Sequence, residues 1–233
     1  MTTNRLESAT ESGQFFRASR FQHRARCDLR NTTLVTHLVV AGKVVDSIRR
    51  VIEIDWTIEQ PLITWVKALW ATTVSSIAAI SPEEELGLTF VRTVTIDGLV
   101  RKTLHQNGPV GLNGPWREQD WDPECIKDML KALNSTSTTQ STRLTDWLMH
   151  LLAQMMHCMN RCIALLGNYD LSLCPKTCQL GDIITVLHGS SVPAVLRPQG
   201  DVYNLVGVCY VDGIMYGEAV DWEEDEADIF VLV

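Results

Sequence analysis

Residues 181–220 read GDIITVLHGSSVPAVLRPQGDVYNLVGVCYVDGIMYGEAV, and this stretch decides the fold class of the chain. It consists of short apolar runs separated by turn residues, with the runs at 183–187, 192–196 and 203–211. Runs of this length and spacing predict short antiparallel strands. Pro193 cannot donate a ladder hydrogen bond, so its run is expected at a sheet edge or at a strand start. The stretch therefore predicts a small antiparallel β-module, barrel-like or a curled sheet.

The chain before this module has mainly helical patterns. Apolar residues recur at helical spacing over 62–74, 86–94 and 145–166, which predicts amphipathic helices. Residues 34–51 instead alternate in the manner of a β-hairpin, and residues 167–180 read as a connector. Helices followed by strands predict an α+β fold. Its parts are a helical region with an N-terminal hairpin and then the C-terminal β-module.

Charge suggests how the two ends of the chain behave. The sequence carries 28 Asp and Glu against 20 Lys and Arg, for a net charge of −8, which argues against a nucleic-acid partner. Arginines concentrate before residue 30 and carboxylates after residue 220, and both ends are expected to be solvated. The predicted organisation is a basic, poorly ordered arm (1–33), a mainly helical region (34–180), the β-module (181–220) and an acidic tail (221–233).

Nothing in the sequence directs the chain to a membrane or to secretion. The first fifteen residues are polar, without the apolar segment of a signal peptide. The most apolar segment, 62–80, contains Lys67 and several hydroxyl residues, so a buried helix is expected there rather than a membrane span. Seven cysteines without a secretion signal indicate reduced thiols. The expected location is the cytoplasm, with no membrane partner.

Four cysteines are the weak candidates for a metal site, namely Cys158, Cys162, Cys174 and Cys178. Zinc needs four soft or imidazole donors in a tetrahedron, and Cys158 and Cys162 would share one helical turn. The alternatives are buried structural thiols, because free cysteine behaves as a small apolar residue, or a redox role. The spacing of three intervening residues differs from the commoner zinc knuckle. We predict reduced thiols, no metal and no cofactor.

The sequence contains no convincing catalytic motif. The segment 188–191, His-Gly-Ser-Ser, lacks the Gly-x-Ser-x-Gly pattern of a nucleophile elbow. The glycines between 108 and 114 are interrupted by prolines and lack the ending of a phosphate loop. The expectation is therefore a protein without catalytic residues. A pocket around Asp182, His188 and Asp212 would favour an enzyme instead.

Short motifs recur in a recognisable order along residues 15–220. Residues 38–48 read LVVAGKVVDSI and residues 90–97 read FVRTVTID. The closing motifs contain Gly181, Asp182, Pro193, Leu196, Arg197, Gly207, Tyr210, Gly213, Met215, Gly217 and Glu218. In this order the motifs resemble the C-terminal accessory region of fungal heterokaryon incompatibility (HET) domain proteins. The resemblance marks these eleven residues as family-motif positions.

The sequence departs from the family pattern in three places. Val208 stands where family members have an acidic residue, and LSLCP at 171–175 replaces a Gly-rich strand, so a strand is doubtful there. Met1 lies where a HET domain would already have ended. The resemblance therefore implies the accessory region without the HET domain, which is the part expected to carry the cell-death activity.

The resemblance implies a function class rather than a mechanism. The implied role is a non-catalytic regulatory or interaction module linked to non-self recognition (allorecognition) between fungal cells. Protein partners are expected, with other HET-family proteins as the candidates. The alternative is an accessory protein or enzyme of a fungal metabolic gene cluster with an unrecognised active site.

Overall fold

The computed structural model describes residues 37–54, 62–77, 83–96, 130–131, 133–134, 151, 155–168, 170–221 and 226–233. The described helices are α1 (Leu62–Ile77), α2 (Glu83–Thr95) and a short 3₁₀ helix (Met155–Cys158). The described strands are β1 (Leu38–Glu53), β2 (Arg161–Leu166), β3 (Leu171–Pro175), β4 (Ile183–Leu187), β5 (Ala194–Gln199), β6 (Val202–Val208), β7 (Tyr210–Val211) and β8 (Asp228–Leu232). The mixture of helices and mostly antiparallel strands confirms the α+β class.

The hairpin expected over residues 34–51 is wrong, because one long strand, β1, runs through its described part. The Ala41-Gly42 step does not turn. Gly42 instead lies against β4, where an added Cβ would come within 2.7 Å of the Val186 carbonyl oxygen. β1 pairs in turn with β8, β4 and β2 along its length, with one register shift within its pairing with β4 and one within its pairing with β2. The alternating residue pattern that predicted a hairpin therefore belongs to one continuous strand, which two sheets share.

Five strands form a closed ring of pairings, in the order β1-β4-β5-β6-β8 and back to β1. The pairings are antiparallel except for β6 with β8, which meet in parallel at Tyr203 and Leu232. Each of the five strands places apolar side chains inside the ring: Leu38, Val40, Ile183, Leu187, Ala194, Leu196, Tyr203, Phe230 and Leu232. The Tyr203 and Phe230 rings meet edge to face, with centroids 5.2 Å apart. The ring therefore has its own small core.

A second sheet extends from the other half of β1 in the order β1-β2-β3-β7. One face of β2 and β3 packs against the outside of the ring, with Ala164 and Leu166 beside Ile184 and Val195. The other face, including Ile163 and Leu173, packs against the helices. Both faces of this sheet are therefore buried between two layers.

The helices form the third layer. Their apolar faces follow the predicted spacing, with Val66 and Trp70 of α1 and Phe90 and Val94 of α2 buried. The Trp70 and Phe90 rings meet at an angle of 67°. The Trp70 indole N–H donates to Asn134 Oδ1 at 3.1 Å. The helical predictions for 62–74 and 86–94 are confirmed in these described residues.

The predicted helix over 145–166 is wrong in its second half, because residues 161–166 form β2. These residues are apolar in sequence after Arg161, and five of the six are buried. A run of this kind suits a strand covered on both faces as well as a helix. The predicted connector is also partly a strand, since β3 lies at 171–175, where the departure from the family pattern left a strand doubtful.

The end of the chain differs from the solvated tail that its charge suggested. Asp228–Leu232 form β8, with Phe230 and Leu232 inside the ring. Lys43 Nζ donates to the Glu226 carbonyl oxygen at 3.2 Å, which adds a contact between this segment and β1. Residues 222–225 and the basic arm lie outside the described residues. The division of the chain into four segments stays a prediction.

Candidate functional site

An ion pair between a buried carboxylate and a half-buried arginine connects two of the family-motif residues. Asp182 precedes β4 and is 1% exposed, while Arg197 lies on the neighbouring strand β5. Arg197 donates from Nε to Asp182 Oδ1 at 2.8 Å and from Nη2 to Oδ2 at 2.9 Å. A two-point pair of this kind fixes geometry as well as charge. The pair also raises the pKa of Arg197, so the guanidinium stays charged.

The same ion pair anchors the turn between β3 and β4, defined here as the 176–181 turn. Arg197 Nη2 donates to the Thr177 carbonyl oxygen at 2.7 Å, and Gln179 N donates to Asp182 Oδ2 at 2.8 Å. Gly181 ends the turn with a φ of 84°, a conformation that favours glycine. The charged motif residues therefore position a turn rather than point into solvent.

Two more motif residues, Gly207 and Pro193, make close contacts at the ring. Gly207 lies on β6, where an added Cβ would come within 2.9 Å of Pro175 Cγ, so only glycine allows this approach. Cys209 N donates to the Pro193 carbonyl oxygen at 3.0 Å. Pro193 itself lies just before β5, as its missing N–H predicted. Gly207 thus marks a close approach between the ring and the second sheet, and Pro193 accepts a backbone hydrogen bond that continues the pairing of β5 with β6.

Tyr210 and Met215 belong to the layer that packs against the helices. The Tyr210 backbone oxygen accepts a hydrogen bond from Ser172 Oγ at 2.8 Å, and Met215 Sδ accepts one from Val211 N at 3.4 Å. Asp212 Oδ2 lies 3.7 Å from Arg92 Nη1 of α2. These residues therefore connect the β-module to the helical layer.

The remaining motif residues form the turns after β7. Gly213 and Gly217 have φ values of 87° and 92°, which a residue with a Cβ rarely adopts. Glu218 Oε2 accepts a hydrogen bond from Tyr216 N at 2.7 Å. Leu196, the last motif residue, is fully buried inside the ring.

Four cysteines meet between the ring and the second sheet, and we refer to them as the thiol layer: Cys162, Cys174, Cys178 and Cys209. All are thiols rather than disulfides, and each is at most 5% exposed. Cys162 and Cys174 are directly opposite each other on β2 and β3. Cys162 Sγ and Cys178 Sγ are 3.2 Å apart, and Cys174 Sγ lies 3.1 Å from Ser172 Oγ.

The thiols of this layer differ in acidity. Hydrogen bonds from Cys162 and Cys174, with a smaller contribution from the Arg197 cation, hold the pKa of Cys178 well below its usual value. The hydrogen bond to Cys178, together with burial, raises the pKa of Cys162 and of Cys174. Among these thiols, Cys178 is therefore the one whose thiolate form is favoured.

Cys158 is the zinc candidate that the structure separates from the others. It lies in the core between the helices and the second sheet, where its thiol donates to the Val94 carbonyl oxygen at 3.1 Å. Burial raises its pKa to about 12. Among the described residues, no group of three or more His, Cys, Asp or Glu side chains is arranged to hold a metal ion. The absence of bound metal stays a prediction.

The residues of the hypothetical enzyme pocket are not brought together. Asp182 and His188 flank β4 at its opposite ends, about 20 Å apart at roughly 3.3 Å per residue. Asp182 pairs with Arg197, whereas Asp212 accepts a hydrogen bond from Tyr210 Oη at 3.2 Å on the helical side. These three side chains therefore do not form one site.

Sequence reasoning missed Cys209 as a member of the thiol layer and Ser172 as a hydrogen-bond partner of Cys174. Cys209 lies 31 positions beyond Cys178, and the helix predicted over Cys162 concealed its pairing with Cys174. A strand interpretation of residues 161–166 and 171–175 would have placed these two cysteines opposite each other. Cys209 offered no comparable signal, because its position depends on how β5 and β6 pack against β3.

No helix in the described part of the chain is long and apolar enough to cross a membrane. The segment at 62–80 is instead occupied by α1 up to Ile77, with Val66, Trp70 and Ile77 buried in the core.

Comparisons with known proteins agree with the motif series. A family model described as the Het-6 beta-barrel domain matches residues 116–233. Heterokaryon incompatibility protein 6, OR allele, of Neurospora crassa is 44% identical over 63 residues, which are 25% of this chain and 9% of that protein. The chain thus spans only a small part of that relative's length, and no solved structure matches it. The chain belongs to the Het-6 beta-barrel domain family.

Proposed function

We propose that this chain is a non-catalytic interaction module that acts in fungal heterokaryon incompatibility by binding another HET-family protein. In this proposal it works in the cytoplasm and contributes to allorecognition. The family and the relative support the biological setting, since that relative is named as a heterokaryon incompatibility protein. The surface of the ring supports the interaction.

The observation that carries the proposal is an apolar surface on the outside of the ring, which we define as the β1–β8 face: Val39, Ala41, Ile229, Val231 and Val233. Ala41 is opposite Ile229, and Val39 is opposite Val231, so these side chains share one face. Ile229 is 64% exposed and Val233 is 48% exposed. An antiparallel strand with one face in a core normally has polar residues on the other. β8 is apolar on both faces, which favours a protein partner on the outer one.

The charged side chains of the family motif form hydrogen bonds within the chain, which supports a non-catalytic role. Asp182, Arg197 and Glu218 each make hydrogen bonds within the chain. Asp182 is buried, and its two oxygens are occupied by Arg197 and by Gln179 N. The family motif is therefore explained by packing of the module, and the outer surface is left for recognition.

Binding of the purified chain to full-length HET-family proteins tests the proposal. We expect at least one of them to bind. Ile229→Lys should weaken that complex by about tenfold or more, because it places a charge in an apolar interface. Leu180→Lys is the matched control, since Leu180 is 71% exposed on the 176–181 turn, outside the β1–β8 face. Biolayer interferometry with the three chains measures both effects.

Two outcomes contradict the proposal. One is equal weakening by Ile229→Lys and Leu180→Lys, which would show that the β1–β8 face has no special role. The other is the absence of any partner together with a measurable turnover of a small molecule, which would favour the accessory-enzyme alternative.

A further inference from the structure

The thiol layer has no part in the proposed interaction, yet it holds two sulfur atoms in contact. Cys162 Sγ and Cys178 Sγ are 3.2 Å apart. A disulfide bond is about 2.0 Å long, so the two sulfurs need to approach by roughly 1 Å to be joined. A small movement would therefore bring these two sulfur atoms within bonding distance.

The two cysteines differ in their freedom to make that movement. Cys162 lies in β2, which pairs with β1 on one side and β3 on the other. Cys178 lies in the 176–181 turn, outside any strand. Its neighbours Thr177 and Gln179 are exposed, while Cys178 itself is 5% exposed. Cys178 is thus the member of the pair that lies directly beneath the surface.

The surroundings of Cys178 favour its thiolate form, which is the nucleophile in thiol chemistry. The Cys162 and Cys178 sulfurs share a hydrogen bond at 3.2 Å, and the Cys162 and Cys174 thiols and the Arg197 cation lower the pKa of Cys178. Arg197 also holds the turn through the Thr177 carbonyl oxygen. A nucleophilic sulfur beside a second thiol is the arrangement found at redox-sensitive cysteines.

We propose that Cys178 is a peroxide-reactive thiol and that Cys162 resolves its oxidised form into a reversible disulfide. The Cys178 thiolate attacks one peroxide oxygen, and the O–O bond breaks. Hydroxide departs (an alkoxide in the case of an alkyl peroxide), and Cys178 becomes a sulfenic acid. The Cys162 sulfur then attacks the Cys178 sulfur, an S–S bond forms and the S–O bond of the sulfenic acid breaks. The departing hydroxyl takes the Cys162 proton and leaves as water. The two thiols lose two electrons in total, and the peroxide gains them.

The disulfide would fix the 176–181 turn to β2. Because this turn also carries the contacts of Asp182 and Arg197, oxidation acts at the junction between the ring and the second sheet. The site is therefore a modification site inside the fold, distinct from the β1–β8 face.

Peptide mapping of the full chain after exposure to increasing equivalents of hydrogen peroxide tests the proposal. Unreacted thiols are blocked with N-ethylmaleimide before digestion. Trypsin and a protease that cleaves before aspartate separate the four thiols, because Asp170, Lys176, Asp182 and Asp201 lie between them. We expect a linked species that joins peptide 162–169 to peptide 177–181, lighter than the two free peptides by two hydrogen atoms. A thiol reductant should restore both peptides.

Variants identify the role of each thiol. Cys162→Ala should abolish the linked species and leave a sulfenic acid on Cys178 that dimedone traps. Cys158→Ala and Cys209→Ala are matched controls that remove a buried thiol outside the pair, and both should retain the linked species. If Cys162→Ala does not fold, excess dimedone added to the unaltered chain with the peroxide should label Cys178 and reduce the yield of the linked species.

Three results would overturn the proposal. The first is a disulfide that joins Cys178 to Cys174 or Cys209 in place of Cys162. The second is complete blocking of Cys178 by N-ethylmaleimide at peroxide levels that oxidise other cysteines or methionines. The third is a failure of dimedone to label Cys178 in folded Cys162→Ala after exposure to peroxide.

Discussion

At the scale of single residues, Asp182 shows why the family motif pairs an acid with an arginine. Its carboxylate is 1% exposed and needs compensation for the lost water, which Arg197 supplies through two hydrogen bonds. The Arg197 side chain is 28% exposed, so its own charge remains partly hydrated. Compensation of the buried Asp182 carboxylate therefore requires the Arg197 guanidinium, but it does not require Arg197 itself to be buried.

Replacing Arg197 with methionine should lower the free energy of unfolding by about 3 kcal/mol, because the variant leaves a buried carboxylate without its partner. Arg50→Met is the matched control, since Arg50 lies exposed on β1, and a loss of about 0.5 kcal/mol or less is expected there. Urea denaturation of both variants provides the comparison. Equal losses would mean that the ion pair contributes nothing beyond the surface arginine.

At the scale of elements, β8 closes the ring by filling its interior. Phe230 is 2% exposed and contacts the ring of Tyr203, whereas the next residue toward the N-terminus, Ile229, is 64% exposed. The alternation of the strand thus divides its residues between a core and a surface. The apolar runs of the β-module are divided in the same way: Val195 and Val211 are buried, Val192 and Val206 are half-buried, and Leu205 is 54% exposed.

Phe230→Ala should therefore cost about 3–5 kcal/mol, through lost burial and the cavity left inside the ring. Ile229→Ala should cost less than about 0.5 kcal/mol, since its side chain is already largely in solvent. Thermal unfolding followed by circular dichroism measures both. A small effect of Phe230→Ala would mean that β8 is dispensable and that the tail behaves as the charge pattern suggested.

At the scale of the whole molecule, the second sheet is the middle one of three layers. β2 and β3 are covered on one side by the ring and on the other by the helices. Arg92 of α2 and Asp212, which directly follows β7 of the second sheet, add a polar contact at 3.7 Å between the helices and that sheet. Because the middle sheet belongs to both cores, loss of packing on one side should be felt on the other.

Val195→Ala tests this coupling from the ring side. Val195 is fully buried against the thiol layer, and the substitution should cost about 2 kcal/mol. We expect amide hydrogen exchange to be faster at both Ile163 of β2 and Ile184 of β4. The free energy of opening obtained from the exchange rates should fall by the same amount at the two residues. Val233→Ala, an exposed position, is the control and should change neither. Faster exchange in β4 alone would show that the ring unfolds independently.

The family relationship and the α+β fold class could be predicted from particular residues. Glycines with positive φ, such as Gly200 and Gly213, lie at turns that the sequence indicated. Pro193 precedes its strand, and Val66, Trp70 and Phe90 recur on buried helix faces. These features are local, because a turn or an amphipathic face is encoded within a few neighbouring residues.

The sequence by itself thus determined the α+β class, α1 and α2, the turns of the β-module and the motif residues. Only the tertiary structure decided that Arg161–Leu166 are a strand, that β1 runs unbroken and that β8 ends inside a ring. It also brought Cys209 to Cys174 and Cys178. The physical reason is distance along the chain: β1 pairs with β2, β4 and β8, whose residues lie more than a hundred positions away. An apolar run covered on both faces has no period of its own, so its partners decide whether it becomes a helix or a strand.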